Sequence, residues 1–331
     1  MNNGRQEEII KISESIDCWE KLKGKTVLIS GATGFVGQYI CDVIRYRNQV
    51  FHDGIKIISL TRRGGVSDET VTYVKQDINQ SFNVGEDVDY VLHLASNTHP
   101  KQYAEDPVGT ITTNVFGCHN LLQIASEKNA RFVLASSVEI YGQGSETPMA
   151  EDYCGYIDCN QARSGYNESK RVCESLCQSY RQQFGTDVVI ARLSRLFGPD
   201  PKTDTKAMSQ FMDKAVANED IVLKSKGNQR YSYCYVSDAV SALFTIMLKG
   251  TDGEAYNVSA DDEGMTLGQY AEYIASLAGH RVVFQIENNA SVSKATYALM
   301  DAEKLKKLGW KPEYSVKDGL KRTYDQKCAL L

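Results

Sequence analysis

Runs of like charge are absent from this chain of 331 residues, and its 37 Lys and Arg are outnumbered by 42 Asp and Glu, for a formal net charge of −5. That balance presents no basic groove to nucleic acid and no polybasic face to a membrane, so a small-molecule partner is expected. Long apolar runs are missing too. The most apolar stretch, Ala239–Leu248, falls well short of the roughly 20 residues a membrane span requires. The N-terminus, MNNGRQEEIIKISESID, carries acids where a signal peptide needs a basic start and an apolar run, so a cytoplasmic protein is expected. Proline is scarce at 6 copies, and with 25 Gly, 42 % apolar and 24 % charged residues the chain is neither disordered nor collagen-like. Its 9 cysteines are odd in number and scattered from Cys18 to Cys328, as reduced thiols are and a disulfide framework is not. The 5 histidines complete no zinc pattern, and no metal is expected.

This length suits one large domain or two medium ones. Residues 1–24 read as a short amphipathic helical extension, with Ile9, Ile12, Ile16 and Trp19 recurring near a 3.6 period. Thr26–Ser30 (TVLIS) then reads as a buried strand, followed by the glycine-rich turn Gly31–Gly37 and a helical pattern through Arg47. Strand-like runs at Ile55–Leu60, Tyr90–Leu94, Phe132–Ala135 and Val188–Ala191 alternate with helical patterns at Val108–Lys128 and Glu168–Phe184. Strands separated by helix-length segments pair in parallel, which predicts a doubly wound α/β (Rossmann) sheet over residues 25–199. Beyond Gly198-Pro199 the texture changes. Residues 200–331 are expected to form mostly a smaller α/β substrate-binding lobe over the carboxyl edge of the sheet, where open α/β sheets bind ligands, with strands at Ile221–Leu223 and Tyr231–Val236.

Three glycines after a strand let backbone amides approach a pyrophosphate at a helix N-terminus, though a tight turn without ligand has the same signature. Tyr166 and Lys170, four apart in YNESK, share one helical face, so the ammonium can favour ionisation of the phenol. They follow a strand that ends in ASSVEIYG, with Ser136, Ser137 and Glu139 at the carboxyl edge. Together with Asp77-Ile78, HLAS (His93–Ser96), Asn114 in TTNVFG, RLFGP (Arg195–Pro199), YCYVSDAV (Tyr233–Val240), YNV and LGWKP (Leu308–Pro312), these elements strongly resemble the extended short-chain dehydrogenase/reductase family. The resemblance is to its nucleotide-sugar epimerases, dehydratases and decarboxylases, and it covers nearly the whole chain from Lys25.

What the resemblance implies runs residue by residue. Tyr166 is the base that takes a sugar hydroxyl proton, Lys170 holds the nicotinamide ribose and depresses the tyrosine pKa, and Ser137 hydrogen-bonds the reacting oxygen. Such a triad makes a ketone on a bound nucleoside-diphosphate sugar, usually at C4. Gly31, Thr33, Gly34, Phe35, Val36 and Gly37 would cradle the dinucleotide, Thr61 and Arg62 face its adenosine ribose, Asp77 and Ile78 flank the adenine, and Leu94, Ala95, Ser96 and Asn114 complete its site. Glu139 matches the glutamate that dehydratases use as a base and decarboxylases also carry; Val138 stands where 4,6-dehydratases place a proton-donating aspartate, which demotes dehydration. Around His99 and Tyr103, SNTHPKQY looks like the corresponding loop of UDP-glucuronate decarboxylases, and YNESKRVCESLC extends that likeness.

Two departures bear on the substrate pocket. Where these families usually carry a phosphate- or carboxylate-binding arginine this chain has Tyr231, with Arg230 one residue earlier and thus on the opposite face of a strand. Arg195 stands where asparagine is common, and its guanidinium matches phosphate geometry. The leading expectation is therefore an epimerase acting through a 4-keto sugar, with UDP-glucuronate-type decarboxylation or a 4,6-dehydratase-like reaction as the alternatives. An NADPH-dependent reductase and a non-catalytic dinucleotide sensor stand behind these. The cofactor is expected to be NAD on resemblance, while Leu60-Thr61-Arg62-Arg63 at the end of the second strand leans to NADP, because Asp53 precedes that strand. A homodimer built from the two helices at Val108–Lys128 and Glu168–Phe184 is implied as well.

Overall fold

A computed structural model describes residues 3–98, 104–200, 206–260, 264–286 and 296–329. The strands β1 (Thr26–Ser30), β2 (Lys56–Thr61), β3 (Val71–Lys75), β4 (Tyr90–His93), β5 (Arg131–Ser137), β6 (Val188–Leu193) and β11 (Ala255–Val258) form one seven-stranded sheet. Its order is β3-β2-β1-β4-β5-β6-β11 and every neighbour pair is parallel. The order reverses between β1 and β4, so the crevice at that switch point opens beside the Gly31 turn.

The alternation of side chains along each strand feeds two separate cores. Val27, Ile29, Val133, Val189 and Ala191 pack on one face under α2 (Phe35–Phe51) and α6 (Val236–Lys249). Leu28, Phe132, Leu134, Val188 and Ile190 pack on the other, under α3 (Pro107–Lys128) and α4 (Gly165–Phe184). The helix α3 starts where it does because Asp106 accepts the Gly109 N–H at 2.9 Å and Pro107 opens the first turn. No helix among the described residues is long and apolar enough to cross a membrane.

The remaining elements are α5 (Ala207–Val216), α7 (Leu267–Leu277), α8 (Glu303–Lys306), α9 (Val316–Cys328) and the short strands β7 (Arg195–Phe197), β8 (Ile221–Leu223), β9 (Arg230–Tyr231), β10 (Tyr233–Tyr235), β12 (Val282–Phe284) and β13 (Tyr297–Ala298). All but α8, whose Leu305 joins the first core, gather round a third core that includes Met208, Phe211, Tyr231, Tyr233, Tyr270 and Ile274. The division near residue 200 is interleaved, since α6 and β11 return to the large sheet.

Two local expectations need correction. The strand expected at Tyr231–Val236 is two strands: β9 pairs with β13 and β10 with β7. Ser232 divides them, its hydroxyl accepting the Met300 N–H at 2.9 Å, so the chain changes partner at that residue. The N-terminal helix α1 (Asn3–Ser15) ends before Trp19, which sits on a separate 3-10 turn (Trp19–Lys21) and donates its indole N–H to the Ser13 carbonyl at 2.8 Å. Ile9, Ile12, Ile16, Trp19 and Leu22 are buried in the first core, so this segment is part of the main body.

Candidate active site

A cleft of about 840 Å³ runs along the carboxyl edge of the sheet, from the ends of β2 and β3, past the Gly31 turn and β5, to β7 and the smaller lobe. Gly31 adopts φ 84°, and a Cβ there would lie 2.8 Å from the Ala95 amide nitrogen. At Gly37 a Cβ would lie 2.3 Å from the Gly31 carbonyl oxygen, so the first turn of α2 closes on β1 only with glycine in place. The result is a helix N-terminus that lines the cleft, and such a terminus favours an anion such as a dinucleotide pyrophosphate.

At the other wall, Tyr166 and Lys170 occupy the first turns of α4, both largely buried and both lining the cleft. The Lys170 ammonium donates to the Ala135 carbonyl at 2.9 Å, and burial lowers its pKa because the charged form loses hydration. Ser137 ends β5, and its hydroxyl oxygen accepts the Glu139 N–H at 3.2 Å, which leaves its proton available to an oxygen in the cleft. Behind this wall a buried relay fixes α4. Ser96 donates to Asn114 (2.7 Å), Asn114 to Ser169 (2.9 Å), and Ser169 to the Tyr166 carbonyl (2.8 Å). His93 lies deeper, its Nδ1 2.7 Å from the Ser30 hydroxyl, and burial beside Lys170 pushes its pKa down to about 3, so it is neutral.

Glu139 and Arg195 approach within 3.3 Å in the same cleft, and the Arg195 guanidinium lies 3.8 Å above the Tyr231 ring. One nitrogen of that guanidinium, Nη1, is buried and has no hydrogen-bond partner among the described residues. Asn167 also donates to Glu139, at 3.2 Å.

The structure thus brings Gly31, Thr33, Gly34, Phe35, Val36, Gly37, Thr61, Arg62, Asp77, Ile78, Leu94, Ala95, Ser96, Ser137, Glu139, Tyr166, Lys170, Arg195 and Tyr231 into one cleft. Asn114 is fully buried behind the wall and acts through Ser96 and Ser169. Arg230 does not line the cleft although Tyr231 does, as alternation along β9 requires. His99 and Tyr103 lie outside the described residues. Arg163, Lys206, Ser225 and Gln229 line the cleft without having been singled out. Their only sequence signal was a polar texture, because the turn before α4 places Arg163 and the folding of the smaller lobe brings the other three to the sheet.

The profile of the NAD dependent epimerase/dehydratase family matches residues 27–259. The chain belongs to that family. It is 31 % identical over 303 residues to UDP-glucuronic acid decarboxylase 3 of Arabidopsis thaliana, an alignment covering 89 % of this chain and 86 % of that protein. In fold it is similar to the UDP-glucose 4-epimerase of Thermotoga maritima (TM-score 0.76, 22 % identity, 92 % of this chain and 99 % of the other). The dTDP-glucose 4,6-dehydratase of Streptomyces venezuelae with NAD bound gives TM-score 0.77 at 22 % identity, covering 91 % and 96 %. The family is NAD-dependent, and these relatives are enzymes that modify nucleotide sugars.

Proposed function

We propose that the protein modifies the sugar of a nucleoside diphosphate sugar through a 4-keto intermediate. The observation that carries this reading is the meeting of Ser137, Tyr166 and Lys170 on one wall of a cleft whose floor is the Gly31–Gly37 turn. The turn, with Thr61, Asp77, Ile78 and Ser96, would hold the dinucleotide, which when bound supplies the hydride acceptor and donor. Tyr166 takes the proton of the C4 hydroxyl, and Ser137 donates a hydrogen bond to the same oxygen. Lys170 stabilises the phenolate electrostatically and has hydrogen-bond capacity left for a ribose hydroxyl.

One observation favours loss of a carboxyl group as the completing step over the inversion at C4 that asks least of the sequence. Arg195 lines the same cleft as Glu139 and keeps one buried guanidinium nitrogen without a hydrogen-bond partner among the described residues, and a carboxylate is a group that suits such a guanidinium. In a uronic acid oxidised at C4, the carboxyl group on C5 is β to the ketone. The bond from C5 to the carboxyl carbon then breaks, CO₂ leaves, its electron pair enters the enolate, and a proton returns to C5. The reading is tested by incubating the protein with UDP-glucuronate and UDP-glucose and analysing the products by chromatography and mass spectrometry. A UDP-pentose from UDP-glucuronate is expected; a C4 epimer without loss of CO₂ would replace decarboxylation by inversion, and steady dinucleotide turnover would indicate a reductase. Arg195→Ala is expected to raise KM for UDP-glucuronate by roughly 10- to 100-fold, the loss of a charge-assisted pair. An unchanged KM would remove Arg195 from carboxylate binding.

The assembly proposed is a homodimer in the cytoplasm. Supporting it, Val108 (70 % exposed) and Phe116 (52 %) on α3 and Val172 (42 %) and Phe184 (56 %) on α4 leave apolar side chains uncovered on two neighbouring helices, and all nine cysteines are free thiols. Phe116→Glu is expected to shift the protein from dimer to monomer in light scattering after size exclusion. A wild-type protein that is already monomeric at micromolar concentration would rule the dimer out.

A further inference from the structure

The end of β2 decides which adenosine ribose a doubly wound site accepts. A carboxylate there takes the two ribose hydroxyls of NAD, whereas a guanidinium takes a 2′-phosphate. In this chain β2 ends in Thr61, and the next two residues, Arg62 and Arg63, are exposed side chains that line the cleft beside the glycine turn. No carboxylate among the described residues pairs with either arginine. Of the acids nearest in sequence, Glu69 is exposed and pairs with neither arginine, and three others are engaged elsewhere. Asp53 precedes the strand, where it is buried and bonded to Arg47 at 2.6 Å. Asp68 is paired with Arg45. Asp77 reaches the cleft from the end of β3, and its carboxylate accepts the Asn79 N–H at 3.0 Å within its own turn. The end of β2 therefore offers two unpaired cations and a hydroxyl where NAD recognition asks for an anion.

We propose that Arg62 and Arg63 form a binding site for the 2′-phosphate of NADP, so that this member of an NAD-dependent family binds NADP at least as tightly as NAD. The proposal rests on the reading of the cleft as the dinucleotide site. The chemistry at C4 is unaffected, since both dinucleotides carry the same nicotinamide and the 2′-phosphate lies at the other end of the molecule.

The test is calorimetric titration of the full-length protein, stripped of bound nucleotide, with NAD, NADP, 2′,5′-ADP and 5′-ADP. NADP is expected to match or exceed NAD in affinity, and 2′,5′-ADP to bind more tightly than 5′-ADP. The double variant Arg62→Ala/Arg63→Ala is expected to lose at least about tenfold in NADP affinity, a charge-assisted contact, while NAD affinity stays within about threefold. NAD binding that exceeds NADP by about threefold or more overturns the proposal and leaves the dinucleotide site standing. Equal weakening of both dinucleotides in the double variant also overturns it. If neither dinucleotide binds, the dinucleotide reading of the cleft fails and this proposal with it.

Discussion

Tyr166→Phe is expected to lower kcat by about 10²- to 10⁴-fold, the usual worth of a positioned acid or base. KM for the nucleotide sugar should stay within a few-fold, because the phenyl ring keeps its place on α4 and only one hydroxyl is lost. The physical reason is local. Tyr166 and Lys170 stand one turn apart at the start of α4, and Lys170 is desolvated against the Ala135 carbonyl. A positive charge held in so dry a wall acts strongly on its neighbour, so proton removal from Tyr166 costs less than it would in water. Lys170→Met should therefore lower kcat comparably and move the pH-rate profile towards alkali. Steady-state kinetics with each variant, together with dinucleotide titration, separate the two roles. Full activity in the phenylalanine variant would end the assignment of Tyr166 as the base.

Much of this wall was legible in the sequence because its residues lie close along the chain or at fixed helical spacing. The glycines of residues 31–37 sit between a buried strand and a helix, and the four-residue step from Tyr166 to Lys170 needs only the geometry of α4 to become a pair. The parallel sheet was legible for the same reason, since helix-length gaps between buried strands exclude hairpins. The substrate end was not. Arg195 meets Tyr231 and Glu139 through three separate segments, and nothing local in RLFGP says that its guanidinium lies on a tyrosine ring. The break at Ser232 was hidden for a similar reason. RYSYCYV has one continuous strand-like texture, while its pairing partners lie far off at β7 and β13.

The largest expected effect on stability is that of Glu8→Ala. Glu8 has no solvent exposure, and its carboxylate accepts from Tyr235 (2.7 Å), Gln326 (2.7 Å), Arg322 (3.2 Å) and Tyr39 (3.0 Å). These donors come from β10, α9 and α2, so one side chain of α1 joins the large sheet's helices to the smaller lobe. The periodicity of Ile9, Ile12 and Ile16 showed that this helix has an apolar face. Only the fold shows that the residue beside it is a buried anion with four donors. Removing it leaves the hydroxyl protons of Tyr39 and Tyr235 without their acceptor and Arg322 with Glu7 as its remaining carboxylate partner, a loss of about 3–5 kcal/mol at about 1–3 for each buried donor left unsatisfied. For a chain of this size that is a fall of roughly 5–10 °C in Tm, read by circular dichroism. Glu8→Gln keeps the shape and one acceptor, and should fall between the two. Tyr235 shares β10 with Tyr233, which lines the cleft, so the alanine variant should also raise KM for the sugar nucleotide at temperatures where it remains folded. A Tm within about 2 °C of wild type would show that the four donors find water or one another instead, and that the isoleucines and the Arg5–Asp42 pair hold α1 without Glu8.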